Sequence, residues 1–562
     1  MLWWWTAYAV AALTAAAASP SLPDSADGTG WKLVRLDLDV TVPQGERRLR
    51  FAGRARLRLE DDTSSGPALG LNTRIAALRF VRAEAAGATI ALNETVPGDS
   101  ALRLLRIRLP RPALRGAELE ASFEYEMDRS SSQLLIGDSV ALASWVENWY
   151  PAPRTPDGFT GAAAAAPGVT RFHLPRGWRA VSNGRLAAPP AVRASATDTW
   201  IVEQPVARSF VAAPYVVAHQ RSGGLDVAMY LLRASPAAAR VQARTLTRAL
   251  AAMEARFGRY PYPSYAVAEL PESSVTWAAS SEQGFIMARG SMFDVAGGNL
   301  PLFAHEAAHG WWGNVVNTKG PGSKMGSEAL AQYGAVVAIE ALEGRAAARD
   351  FLRFSRTGYN PLQCALGYFH IWRQGEDVPL ARLQDGPSDH NLSDSKGMWF
   401  YQMTRDRIGD AAFFGALRHL LADFATRPMT VADIAAAFRA AAPADSGLAA
   451  FLAQWLERTG APVLDVDWWS LRRPAARPGA TPPGAVELRI RQRQPGEPYA
   501  IALEVLVTLR DSSTVLDTLQ LVGREHSAQI ELPGRPIDLQ VDPYHRVLTW
   551  RPEYGARPPG AE

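Results

Sequence analysis

Apolar and polar residues alternate with period two over the first part of the chain. WKLVRLDLDVTV, LRFAGRARLRLE, LRLLRIRLP and AELEASFEYEM all show it. Such alternation puts successive side chains on opposite faces, which predicts half-buried antiparallel strands. Turn-forming clusters punctuate the pattern, as at Val42-Pro43-Gln44-Gly45 and Ser182-Asn183-Gly184. The region 30–222 therefore reads as an N-terminal antiparallel β domain. Its alanine-rich stretch Gly161–Pro167 reads as an exposed loop.

The period then lengthens. PAAARVQARTLTRALAAMEARFG begins at Pro236 and ends before Gly258, as an amphipathic helix with proline near its start and glycine past its end should. Further helical stretches are expected at about 301–317, 325–343, 347–356, 396–408, 411–425 and 431–441, and LAAFLAQWLERTG closes the region. A mostly helical second domain over 223–465 follows. Residues 466–484, which include RRPAARPGATPPG, read as a linker. AVELRIRQRQ, YAIALEVLVTLR, STVLDTLQLVG and AQIELPG return to alternation, so 485–555 is expected to be a small β-sandwich. The fold class is multidomain α+β.

Composition adds bounds rather than a function. At 562 residues the chain exceeds a single core, and its 47% apolar and 20% charged content is that of a globular protein. Net charge is only +3, without the concentrated basic block that a nucleic-acid binder shows. The opening MLWWWTAYAVAALTAAAASPS runs from apolar residues into Ala16-Ala17-Ala18, the layout of a cleavable signal over 1–18, although no Lys or Arg precedes the apolar run. Export to a periplasmic or extracellular compartment is expected; an uncleaved N-terminal membrane anchor is the competing reading. No later stretch is long and apolar enough to span a bilayer. Cys364 is the only cysteine, which excludes an intrachain disulfide.

The chemistry concentrates at His305-Glu306-Ala307-Ala308-His309. Residues four apart share a helical face, so both imidazoles can reach one zinc ion. Glu306, pointing in a neighbouring direction, is placed to act on water as a base. A catalytic zinc needs a third protein ligand and an open position. Glu328 lies 19 residues beyond His309, in GSEALAQYGAVVAIEALEG, after a turn-forming Gly320-Pro321-Gly322. That spacing lets a second helix return past the first.

HEAAHGWWGNVV followed by SEALAQY resembles the M1 family of zinc aminopeptidases, in the gluzincin clan. FHLPRGWRAVSNG and PVARSFVAAPYVV resemble strands of that family's N-terminal β domain, and TVADIAAAFRAA with FLAQWLERTGAPVLDV resembles the end of its catalytic domain. The resemblance implies a thermolysin-like catalytic domain, Zn2+ held by His305, His309 and Glu328, Glu306 as catalytic base, and peptide substrates. It implies a three-domain form, because the chain ends where the family commonly adds a helical domain. Ala279-Ser280-Ser281-Glu282-Gln283-Gly284 stands where the family carries its exopeptidase motif. By resemblance Glu282 binds the substrate's α-amino group.

One departure stands out. Asp394-Ser395-Lys396-Gly397 aligns with the family's Y-x-K-G motif, so Asp394 occupies the position of the catalytic tyrosine. An ionised carboxylate repels the oxyanion that a phenol would stabilise. Tyr401, counted as two helical turns along the same face, and Tyr333, near Glu328, are the phenols available to substitute; Tyr401 is taken as the catalytic candidate. Two alternatives stay open: an M1-like zinc-binding protein with weak or no peptidase activity, and a metal-dependent endopeptidase. Trp311 and Trp312 read as core.

Overall fold

The computed structural model describes residues 28–561, apart from 73–78, 97–98, 129, 132, 156–160, 188–195, 223, 234–235, 296–297, 357–358 and 473–483. The expected signal segment lies outside the described residues, as does most of the expected linker. The chain divides into two compact units. Of the described residues, one unit is β-rich and takes 28–248 together with 260–299; the other takes 249–259 and those from 300 onwards.

In the β-rich unit the alternating segments pair as expected, and the largest sheet has seven strands. Trp31–Thr41 pairs antiparallel with Leu49–Leu59, which pairs antiparallel with Glu118–Met127. Leu49, Phe51, Ala55, Leu57 and Leu59 turn one face inward while the arginines between them face water. Each buried large apolar side chain contributes about 1.5–3 kcal/mol of transfer free energy. Not every pair is antiparallel: Trp31–Thr41 also pairs parallel with Ala166–Leu174, Leu38 opposite Thr170. Parallel pairing joins segments far apart in sequence, so local alternation could not reveal it. The alanine run is not an exposed loop either. It forms the short helix Gly161–Ala164 and the start of the strand Ala166–Leu174, with Ala164 and Ala166 buried.

A second, five-stranded sheet carries Val216–Ser222, Leu225–Leu231, Ser264–Leu270, Phe285–Arg289 and Ala279–Glu282 in that order. Ser222 pairs with Leu225, so the border expected after residue 222 falls inside a hairpin. Leu225–Leu231 and Ser264–Leu270 are parallel, and the helix Pro236–Phe257 lies between them in the chain as the crossover that parallel strands require.

The helical unit contains no described helix long and apolar enough to cross a membrane. The helix Leu300–Ala308 is buried along its whole length, His305 and Glu306 included. It packs against Glu328–Glu343, where a Cβ on Gly334 would lie 2.4 Å from Ala308 Cβ. Only glycine permits that approach, and the approach brings Glu328 to the two histidines. A third helical run passes from Asp389–Leu392 through a π-helical turn, Ser393–Gly397, into Met398–Asp423, which is broken at Gly409. That break falls between the two helices expected there. At the C-terminus two three-stranded antiparallel sheets follow. Residues 466–472, expected in the linker, belong to the strand Leu464–Arg472, which pairs along its length with Gly484–Gln492. LDVDWWSLR alternates and is rich in β-formers; the Pro- and Gly-rich signal begins only beyond it.

Candidate metal centre

The helix that carries the motif ends at Ala308, earlier than its apolar pattern suggested. His309 is still held in the helical turn, its N–H donating to His305 O at 3.3 Å. The two imidazoles therefore keep their i, i+4 relation, with ring centroids 4.9 Å apart and planes at 78°. Glu328 is the first residue of the helix Glu328–Glu343, where the helix dipole favours a carboxylate. Its Oε2 lies 3.8 Å from His305 Nε2 and 3.5 Å from His309 Nε2. One ligand atom from each of the three residues falls within 4.8 Å of the others.

Hydrogen bonds set which nitrogen of each ring faces inward. His305 Nδ1 lies 2.7 Å from Gln332 Oε1, and His309 Nδ1 lies 3.0 Å from the Trp312 carbonyl. Both partners are acceptors, so both Nδ1 atoms carry a hydrogen and both Nε2 atoms face the shared space. Such outer partners orient metal-binding imidazoles and raise their basicity. Replacing Gln332 by Leu is expected to weaken zinc binding about 10- to 100-fold, measured by chelator competition with the folded protein.

The electrostatics ask for a cation. Burial disfavours the imidazolium at His305, yet Glu328, Asp394 and Glu306 outweigh it and push the group up to about 10. His309 moves up as well, burial again being outweighed, chiefly by Glu328. Burial works to raise Glu328, but His309 and the bonds from both imidazoles hold its carboxyl well below the usual range. Two imidazoles and a carboxylate with inward lone pairs form the donor set of a catalytic zinc site, with a position left for water or substrate. The residues fit the ion. Glu306 is buried on the same helix, and its charge acts on both imidazoles.

The tyrosine candidates fall elsewhere. Tyr401 is fully buried, its hydroxyl donates to Met325 O at 2.6 Å, and its ring packs among Phe400, Phe413 and Phe438. A phenol has one hydrogen to give, so Tyr401 is a core residue and not an oxyanion donor. The count of helical turns failed because the π-turn at 393–397 changes the phase of every residue after it. Tyr333 is also committed, donating to Gln402 Oε1 and receiving from Arg405. The Lys-Gly match is architectural: Lys396 is buried and donates to Arg458 O at 2.8 Å, and a Cβ on Gly397 would meet Ala329 Cβ at 2.8 Å.

Four residues not assigned from the sequence, His390, Gln363, Tyr359 and Gln332, gather around the ligand cluster and Asp394. His390 Nδ1 lies 3.5 Å from Glu328 Oε2, and its Nε2 lies 3.4 Å from Asp394 Oδ2. Gln363 Nε2 donates to Asp394 Oδ2 at 2.6 Å. Tyr359 donates to the same Gln332 Oε1 that serves His305. Only His390 and Gln332 carried a signal, being four residues from Asp394 and from Glu328. Gln363 and Tyr359 arrive from the segment before the helix Ala365–Arg373 and could not be found by spacing.

Glu282 belongs to the β-rich unit. It ends the strand Ala279–Glu282 at the Gln283-Gly284 turn, where Gly284 has φ +94°. It is 2% exposed, which excludes a solvated surface glutamate. Ser144 Oγ donates to Oε1 at 2.8 Å and Ser209 Oγ to Oε2 at 2.7 Å. Burial pushes its carboxyl up to about 7 against the pull of those two hydroxyls.

No protein-family profile and no curated protein matches the sequence. Solved structures do match. One is a two-domain M1 zinc metallopeptidase, a mutant bound to L-arginine, with TM-score 0.58 and 18% identity over 77% of this chain and 95% of that one. Over that share of its length the chain has the fold of this metallopeptidase. A mutant of an M1 zinc metallopeptidase from Deinococcus radiodurans, bound to a Tyr-Ser-Ala substrate, matches with TM-score 0.56, 18% identity and coverage of 77% and 96%. A further structure of an M1 zinc metallopeptidase from that organism gives TM-score 0.55 at 18% identity, with 77% and 95% covered.

Proposed function

We propose that this chain is a zinc-dependent aminopeptidase of M1 type, with His305, His309 and Glu328 as metal ligands and Glu306 as general base. The observation that carries the reading is the paired Nδ1 anchoring, which aims two Nε2 lone pairs and the Glu328 carboxylate at one point. When bound, zinc would polarise a scissile carbonyl and lower the pKa of a water beside it. Glu306 removes a proton from the attacking water and returns it to the leaving amine, the two roles of one general acid–base group. The helices from Leu300 to Glu457 correspond to a thermolysin-like catalytic domain, and the two C-terminal sheets to a third domain. Export belongs to the same proposal, and a secreted chain beginning at Ser19 is its direct readout.

The exopeptidase half of the proposal falls on Glu282. A buried carboxylate accepts a substrate's α-ammonium because charge pairing offsets the desolvation of both groups. An N-blocked chain has no such charge to offer. A panel of aminoacyl-amide and N-acetylated substrates tests this on the zinc-loaded protein. Wild-type protein is expected to cleave only the free amines. Glu282→Gln should raise KM for those substrates and erase the preference for a free N-terminus. Cleavage of N-blocked substrates by wild type, unchanged in the variant, would make the enzyme an endopeptidase. Bound zinc with no turnover of either class would leave a binding protein.

A further inference from the structure

Asp394 removes a phenol from the position where this fold's hydrolytic chemistry calls for a hydrogen-bond donor, and neither Tyr401 nor Tyr333 replaces it. We infer that His390, oriented by Gln363 and Asp394, is the residue that donates a hydrogen bond to the oxyanion of the tetrahedral intermediate. The inference rests on the zinc-peptidase reading above and names a further catalytic residue within it.

The geometry of three side chains carries the argument. Asp394 is fully buried, and its Oδ2 accepts from Gln363 Nε2 at 2.6 Å. A carboxylate can face only the NH2 end of an amide, so Asp394 sets the rotamer of Gln363. The same Nε2 lies 3.2 Å from His390 Nε2. The second amide hydrogen is therefore directed at the imidazole, and His390 Nε2 is the acceptor. In a neutral ring the hydrogen then sits on Nδ1. In the charged ring Nδ1 carries a hydrogen as well, with the Nε2 hydrogen directed at Asp394 Oδ2, 3.4 Å away. Both forms present Nδ1–H on the side of Glu328, whose Oε2 is 3.5 Å distant. That hydrogen faces the Glu328 edge of the ligand cluster, and on this reading the substrate's carbonyl oxygen lies beside it.

Exposure separates the roles. His390 has half of its side-chain surface open, whereas Asp394 is sealed. The open imidazole is the group a substrate can touch; the sealed carboxylate and the amide are positioning residues. The π-turn at 393–397 begins between the two, offsetting the Asp394 backbone from the α-helical turn that bears His390. No bond to His390 forms or breaks. The water oxygen bonds to the carbonyl carbon, the π pair moves onto oxygen, Glu306 takes the water's proton, and His390 Nδ1–H bonds to the negative oxygen so formed.

A second metal ion shared by Glu328, His390 and Asp394 is the competing use of these atoms. It is disfavoured because Asp394 Oδ2 is already occupied by the Gln363 amide and because the two His390 nitrogens face different carboxylates.

The test uses the zinc-loaded full chain and four proteins: wild type, His390→Ala, His390→Asn and Tyr359→Phe. Loss of one oxyanion donor lowers kcat about 10²- to 10³-fold, and His390→Ala should fall by that factor with KM and one zinc per chain retained. Calorimetric affinity for a phosphinic dipeptide, which carries the oxyanion, should fall in parallel, while affinity for a product amino acid should not. His390→Asn keeps an N–H near the Nδ1 position and should recover part of both losses. His390→Ala with kcat and phosphinate affinity close to wild type overturns the inference and leaves the peptidase reading intact. So does a larger loss in Tyr359→Phe than in His390→Ala, or two zinc ions per chain in wild type with one in His390→Ala. Wild type that neither cleaves peptides nor binds the phosphinate removes both readings together.

Discussion

Glu306→Gln is expected to lower kcat by roughly 10²- to 10⁴-fold while one zinc stays bound per chain. The amide keeps the size and polarity of the carboxylate but has no site that accepts a proton at neutral pH. Glu306 lies outside the set of His305, His309 and Glu328 whose ligand atoms converge, so the metal loses no ligand. What changes is charge, since Glu306 is one of the carboxylates acting on both imidazoles. The variant should therefore bind zinc somewhat less tightly and hold its substrate with little change in KM. Zinc content by mass spectrometry beside steady-state rates on a free aminoacyl amide decides the matter. Full activity in the variant would take the base away from Glu306; loss of zinc with loss of rate would make it a ligand.

Glu328→Ala should abolish zinc binding at micromolar metal and all turnover with it. Two imidazoles on one helix cannot complete the three-ligand set of a catalytic zinc, and the fall should be visible as an empty protein after gel filtration. The stability effect is smaller than the side chain's burial suggests. Removing one partner of a buried ion pair costs about 3–5 kcal/mol when the other must stay charged. His305 and His309 need not, because each can release its proton once the carboxylate that holds it is gone. The metal-free variant should thus melt close to the metal-free wild type, whereas zinc should raise the melting temperature of wild type alone. A metal-free variant that cannot be purified folded would show Glu328 to be structural first.

The face shared by His305 and His309 and most of the strands were legible along the chain because both depend on short periods. His305 and His309 share a face through one helical turn, and Leu49–Leu59 repeats every second residue. Errors came where a count had to cross an irregularity or where partners were distant. A single π-turn moved Tyr401 from the expected face into a phenyl cluster. The parallel pairing of Trp31–Thr41 with Ala166–Leu174 joins segments more than a hundred residues apart. Glu282 reads in sequence as a polar strand end, and only the arrival of Ser144 and Ser209 makes it a sealed carboxylate.

Determined by the sequence alone were the i, i+4 pairing of His305 and His309, the order of β-rich and helical segments, and the aspartate at position 394. These follow from residue type and local spacing, which no neighbour can alter. Tertiary structure decided the rest: that Gly334 lets two helices close until Glu328 meets both imidazoles, that Gln332 and the Trp312 carbonyl choose the ring nitrogens, and that Gln363 turns His390 towards the cluster. Each of these depends on groups brought together from separate segments, and hydrogen bonds of that kind exist only once the chain has packed.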